Sequence, residues 1–115
     1  MLGFHHAFRG LFNLVKTERN FKIQLLVLFL VILLGFFFQI TTTEWIFVIF
    51  SSIIVLSLEA LNSSVEKLAD EVSLEQNPKI KWIKDVSAAS VLIGAIGSVL
   101  VGCIIFIPYI IKLVI

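Results

Sequence analysis

The sequence predicts an all-α integral membrane protein, with an N-terminal amphipathic helix at the membrane interface and three transmembrane helices. Of its 115 residues, 59% are hydrophobic and only 15% are charged, and the mean hydropathy is +1.07. Soluble domains have about 25% charged residues and at most about half apolar ones. Three apolar runs are long enough to cross a bilayer. At this length we expect one membrane domain, residues 1–115.

The N-terminal segment, residues 2–20, has the pattern of an amphipathic surface helix. Its apolar residues recur at helical spacing and its basic residues occupy other faces, as in helices that lie in the membrane interface. Glu18 and Lys22 follow where this helix meets the first span. The apolar positions are Phe4, Phe8, Leu11, Phe12 and Val15, and the others are His5, Arg9, Lys16 and Arg19.

Three spans and two connections account for the rest of the chain. Residues 23–40 form an apolar run just long enough to cross. A short polar turn, residues 41–44, leads to the second span, residues 45–70, which an interfacial tryptophan opens. Residues 71–85 form the main connection outside the membrane, and residues 86–111 form the third span.

The basic residues predict the orientation. All of them except Lys112 lie in the N-terminal segment, at the end of the second span or in the second connection. By the positive-inside rule, the N-terminus and the 71–85 connection are cytoplasmic and the C-terminus is outside. We therefore expect a multi-pass protein of a cell membrane.

Polar residues in the second span indicate a functional site. Glu59 lies about 21 Å along the helix from Trp45, inside a hydrocarbon layer about 30 Å thick. A carboxylate there costs about 2.5 kcal/mol or more, so it is a functional-site hypothesis by default. It shares one helix face with four other polar residues, and the full stripe is Glu59, Asn62, Ser63, Glu66 and Asp70.

Small residues recur every four positions in the third span and predict close helix packing. Because three helices bury few polar groups, we expect several copies to assemble around the polar stripe. The ridge consists of Ser90, Gly94, Ser98 and Gly102.

Several kinds of site lack a motif in this sequence. The single Cys103 excludes an intrachain disulfide and a cysteine-based metal site. No phosphate-binding loop, zinc signature or dinucleotide fingerprint is present. His5 and His6 stand alone, and an interfacial role explains them better than a metal. The formal net charge of +1 argues neither for nor against nucleic-acid binding, and we expect no nucleic-acid partner.

Separate stretches of the sequence resemble the prokaryotic diacylglycerol kinase family. They are residues 59–70, EALNSSVEKLAD, and residues 84–92, KDVSAASVL, together with a short acidic motif before the first span, TERNFK at residues 17–22. The resemblance covers essentially the whole chain. Residues 18–24 look most like the Gram-positive branch, whose members act chiefly on undecaprenol.

The resemblance implies a homotrimer in a bacterial cell membrane, with active sites between subunits at the cytoplasmic boundary and with Mg²⁺ and ATP as cofactor and co-substrate. Glu59 matches the general base, and Glu18 and Glu66 match the metal ligands. The nucleotide positions are His6, Glu18, Glu66, Glu75, Gln76, Asn77, Lys84 and Asp85. The positions assigned to the lipid substrate are Arg9, Lys22 and Asn62.

Two classes of function follow from these patterns. The first is a lipid kinase that converts undecaprenol to undecaprenyl phosphate, with diacylglycerol as the alternative acceptor. The second is a small oligomeric channel or proton-coupled carrier that uses Glu59 and Glu66 as a relay. Glu18, Lys84 and Asp85 favour the kinase, because a relay has no use for a magnesium-phosphate site at one boundary only.

Overall fold

The computed structural model of the chain describes residues 2–73 and 77–115. Four helices follow one another: α1, Leu2–Thr17; α2, Arg19–Phe38; α3, Thr42–Val72; and α4, Pro78–Val114. The last three are each long and apolar enough to cross a membrane, which confirms the three expected spans by length and composition. With 31 and 37 residues, α3 and α4 exceed the roughly 20 residues that a crossing needs. Parts of both helices therefore extend beyond a hydrocarbon layer.

The first helix ends before residue 20, the end that its periodicity predicted. Glu18 is extended, with φ −96° and ψ 112°, and it directly precedes α2. The hydroxyl of Thr17 donates a hydrogen bond to the carbonyl oxygen of Asn13 at 2.6 Å, within the last turn of α1. The residues that follow Glu18 therefore form the first turn of the first spanning helix rather than the end of α1.

The fourth helix begins inside the connection predicted for residues 71–85. The side-chain oxygen of Asn77 accepts a hydrogen bond from the backbone N–H of Lys79 at 2.9 Å. Pro78 occupies the first helical position, where its missing N–H costs nothing. The Asn-Pro pair thus starts a helix, and it places Lys84 on α4 rather than in a loop.

At the outer end of the bundle, α2 ends and α3 begins. Gln39 adopts a left-handed conformation, with φ 52°, which lets the chain reverse. Thr41 and Glu44 form a reciprocal capping box, so α3 starts at Thr42 instead of the predicted residue 45. The hydroxyl of Tyr109 donates a hydrogen bond to the Glu44 carboxylate. This contact ties the start of α3 to α4.

Close contacts between helices join the three spans along the length of the bundle that follows this turn. Gly35 faces the indole of Trp45, and a Cβ atom at Gly35 would lie 2.5 Å from the ring. Gly94 faces Leu58, and a Cβ atom there would lie 2.7 Å from a Leu58 methyl. The small-residue ridge thus permits a close approach at Gly94, whereas a Cβ atom at Gly102 would meet nothing within 4 Å. The apolar cluster of the outer end consists of Ile40, Val48, Ile105 and Phe106, with Phe38, Trp45 and Tyr109 packed against it.

Substitution of Gly35 tests this packing. Gly35→Ala is expected to lower the free energy of unfolding by about 1–3 kcal/mol, because the new methyl group collides with the outer ring of Trp45. Thermal unfolding of the purified protein in detergent micelles measures the loss. In a Trp45→Phe background the outer ring is absent, so the same substitution should cost less. An equal loss in both backgrounds would contradict the contact.

Candidate active site

The polar face of α3 is buried in its deep part and exposed at its end. Glu59 is 4% exposed, and Asn62 and Ser63 are each 7% exposed. Glu66 and Asp70 lie further along the same face and are exposed. They stand at the end of the bundle where α2 and α4 begin and α3 ends, which we call the inner end. The predicted stripe therefore faces the helix bundle at the depth of Glu59.

The first turn of α2 supplies a neighbour of Glu59 that prediction from the sequence missed. The side chain of Asn20 lies close enough to the Glu59 carboxyl group to interact with it. Glu18 and Glu66 also act on Glu59 electrostatically, as charges of the same sign. Asn20 lies inside the motif at residues 17–22, and that motif was the signal that could have found it.

Asn62 connects the buried and exposed parts of the stripe. Its side-chain N–H donates a hydrogen bond to a carboxylate oxygen of Glu66 at 3.3 Å. Its side-chain oxygen is buried and, among residues 2–73 and 77–115, has no hydrogen-bond partner. A buried amide oxygen without a partner costs free energy. It is therefore an acceptor that remains available beside Glu59 and Glu66.

Glu18 joins the site from the break between α1 and α2. Its carboxylate lies 3.7 Å from the ammonium group of Lys67, and its side chain is 28% exposed, against 72% for Lys67. Within the described parts of the chain, no group of three or more histidine, cysteine, aspartate or glutamate side chains could hold a metal. Magnesium usually takes one or two protein carboxylates together with substrate phosphates. The hard oxygen donors of Glu18 and Glu66 therefore fit a magnesium-nucleotide.

Lys84 reaches the same end of the bundle from α4. Its ammonium group lies 2.7 Å from the Asp70 carboxylate, across two helices, and Glu66 also acts on it electrostatically. The neighbouring Asp85 instead pairs with Lys81, one turn earlier on its own helix, at 2.8 Å. Lys84 is thus the lysine that faces the carboxylates of α3.

The remaining predicted site residues lie apart from this cluster or outside the described residues. Arg9 hydrogen-bonds His5 on its own helix at 2.9 Å, and His6 packs edge-on against His5. In the part of the chain that the structure describes, His6, Arg9 and Lys22 form no hydrogen bond or ion pair with the carboxylates of α3. Asn77 caps α4. Residues 75 and 76, a glutamate and a glutamine, lie outside the described residues.

Comparison with known proteins decides the family. Residues 5–106 match the prokaryotic diacylglycerol kinase family. The chain belongs to this family. It is similar to the undecaprenol kinase of Bacillus subtilis, with 32% identity over 105 residues that cover 91% of this chain and 85% of the relative. It is also similar to the diacylglycerol kinase of Haemophilus influenzae, with 33% identity over 102 residues that cover 88% and 86%. The Escherichia coli diacylglycerol kinase is 25% identical over 99 residues, which cover 86% and 81%.

Membership in this family identifies the general reaction that the protein catalyses. The chain is a multi-pass membrane lipid kinase, which uses ATP and a lipid substrate. The prediction of a lipid kinase is therefore confirmed, rather than the alternative of a channel or carrier.

Two lysines of α4 offer a matched test of the site. Lys84→Gln is expected to raise the KM for ATP by about tenfold, since it removes the positive charge that the family resemblance assigns to nucleotide binding. Lys81→Gln, which removes an exposed ion pair within one helix, should change it by less than about threefold. Steady-state kinetics with varied ATP and one saturating lipid measures both. Equal effects of the two substitutions would contradict the assignment of Lys84.

Proposed function

We propose that this kinase transfers the γ-phosphoryl group of ATP to the hydroxyl of a membrane lipid alcohol, with undecaprenol as the first acceptor and diacylglycerol as the second. The cluster of Glu18, Glu59, Glu66 and Lys84 at one end of the bundle carries this proposal. Relatives named undecaprenol kinase and diacylglycerol kinase are similarly identical to the chain, at 32% and 33%. The preference for undecaprenol is supported by residues 18–24, which resemble the Gram-positive branch.

Glu59 is the proposed general base. Its carboxylate is buried, so it can accept a proton from a hydroxyl that the lipid chain holds inside the bilayer. Loss of that proton lets the hydroxyl oxygen attack the terminal phosphorus of ATP. Asn20 of α2 interacts with Glu59 and supports a fixed orientation for it, whereas Asn62, nearly one turn further along α3, hydrogen-bonds Glu66. We assign Asn62 to the lipid substrate, because its free oxygen can accept a hydrogen bond.

Glu18 and Glu66 are the proposed ligands of the magnesium that accompanies ATP. When bound, magnesium neutralises charge on the phosphates. Lys84 contacts the phosphates as a second positive partner beside magnesium, in place of its present ion pair with Asp70. The further nucleotide contacts are proposed at His6, Glu75, Gln76, Asn77 and Asp85, and the further lipid contacts at Arg9 and Lys22.

The proposed assembly is a homotrimer in a bacterial cell membrane, with a cytoplasmic N-terminus and an external C-terminus. The extensive apolar surface of the single chain supports association with lipid and with other copies. The distribution of basic residues supports the orientation. The aromatic face of α1 supports its placement in the membrane interface, beside the inner end.

Separate substitutions of Glu59 and Glu66 distinguish the roles of the two glutamates. Glu59→Gln is expected to abolish turnover, with the rate of phosphoryl transfer lower by about a hundredfold or more. Magnesium-ATP binding should remain. Glu66→Gln should weaken magnesium-ATP binding itself. Lipid phosphorylation and calorimetric titration of magnesium-ATP measure the two effects. If Glu59→Gln turns over at the wild-type rate, Glu59 is not the base.

The acceptor is tested by incubating the purified protein with magnesium-ATP and each lipid alcohol in turn. We expect the highest kcat/KM for undecaprenol and a lower one for diacylglycerol. Phosphate incorporation into extracted lipid measures both values, with the Glu59→Gln variant as the blank. No incorporation into any lipid alcohol would overturn the proposed function.

A further inference from the structure

A groove lies between the three spans, directly outward from Glu59. Its walls come from α2, α3 and α4, and its free volume is about 60 Å³. That volume holds a small polar group or a few waters, and not a whole lipid chain. Val55 and Leu56 line it, and they precede Glu59 by one turn or less on α3. The groove therefore comes within about one turn of the proposed base on α3, although Glu59 is not among its lining residues.

Two polar side chains in this groove are left without partners. Gln24 of α2 and Ser98 of α4 both line it. Across residues 2–73 and 77–115, neither side chain forms a hydrogen bond. The other two serines of the groove differ, because the hydroxyls of Ser51 and Ser52 donate to the carbonyl oxygen of Val48, at 3.1 and 2.8 Å. An unpaired amide and an unpaired hydroxyl inside an apolar bundle cost free energy. A ligand that forms hydrogen bonds with them offsets that cost.

The helix registers place both side chains outward from Glu59. On α2, Gln24 lies one turn outward from Asn20, the neighbour of Glu59. On α4, Ser98 lies one turn outward from the glycine that packs beside Ile54, Val55 and Leu58. Gln24 is therefore about one helical turn, about 6 Å, outward from the level of Glu59, and Ser98 lies further outward. Both side chains line the same groove.

We propose that Gln24 and Ser98 recognise an ester carbonyl of the lipid acceptor and so determine acceptor specificity. The inference rests on the proposed function. In a diacylglycerol, two ester carbonyls follow the reacting hydroxyl by a few bonds, and each of the two side chains can donate to such an oxygen. An isoprenoid alcohol offers only hydrocarbon at that depth and leaves both groups unpaired. Gln24 and Ser98 therefore allow the protein to use the ester-bearing lipid as an acceptor in addition to undecaprenol.

An ether analogue gives a test on the wild-type protein. A dialkylglycerol of matched chain length keeps the hydroxyl and the glycerol but has no carbonyl oxygen. We expect kcat/KM to be about tenfold higher for the diacylglycerol than for the dialkylglycerol. Equal values for the two lipids would overturn the inference, and they would mean that water or hydrocarbon fills the groove.

Substitutions then assign the preference to the two residues. Gln24→Leu and Ser98→Ala should each reduce the ester-to-ether ratio towards one, and kcat/KM for undecaprenol should stay within about twofold. Ser52→Ala is the control, because its hydroxyl lines the same groove but is already paired. The ratio should be unchanged in this control. Variants that slow all three lipids equally, or leave the ratio at the wild-type value, would overturn the assignment.

The result separates this inference from the proposed function. If no lipid alcohol is phosphorylated, the proposed function fails. If undecaprenol and the dialkylglycerol are phosphorylated and no ester preference appears, the lipid kinase reaction stands and only the role of Gln24 and Ser98 fails.

Discussion

The burial of Glu59 in an otherwise apolar bundle constrains the rest of the site. Glu59 is 4% exposed, and Glu18 and Glu66 both act on it with the same sign of charge. A buried carboxylate near two others requires cations or protons to offset its charge. Lys67 pairs with Glu18, whereas Lys84 is held by Asp70. The cluster is therefore suited to a reaction that brings a divalent cation with it and takes a proton away.

The fold holds this cluster by fixing the opposite end of the helices. At the outer end, the capping box of α3, the Tyr109–Glu44 hydrogen bond and the apolar cluster around Phe106 join the three spans. The inner end is joined instead by ion pairs that are partly exposed, and such pairs contribute little stability. A nucleotide can exchange these ion pairs for its own contacts without disturbing the packing of the spans. Stability and chemistry are thus located at opposite ends of the same helices.

The sequence predicted the parts of this arrangement that periodicity and hydropathy encode. The three spans follow from apolar runs, and the buried stripe follows from polar residues at helical spacing. The break at Glu18 has no such signature, because one extended residue leaves the pattern on both sides intact. The Asn77-Pro78 pair fits a turn or a helix start equally well. The contact of Asn20 with Glu59, like the unpaired state of Gln24 and Ser98, depends on the register between helices and on which neighbours each side chain meets. A single sequence does not contain that information.

Polarity decreases with depth along α3, and in the proposed reaction this gradient separates the two substrates. At the inner end, Glu66 and Asp70 are exposed and suit a charged triphosphate with its metal. Glu59 lies deeper, where burial is tolerable for one carboxylate beside the amides of Asn20 and Asn62. Further outward, the polar groups that line the groove are neutral, those of Gln24, Ser51, Ser52 and Ser98, and the groove reaches the apolar cluster at Val48 and Phe106. Since the cost of burial rises from a neutral dipole to a charge, this order keeps ATP at the boundary. The lipid can bring only its hydroxyl, and at most an ester, up to the base.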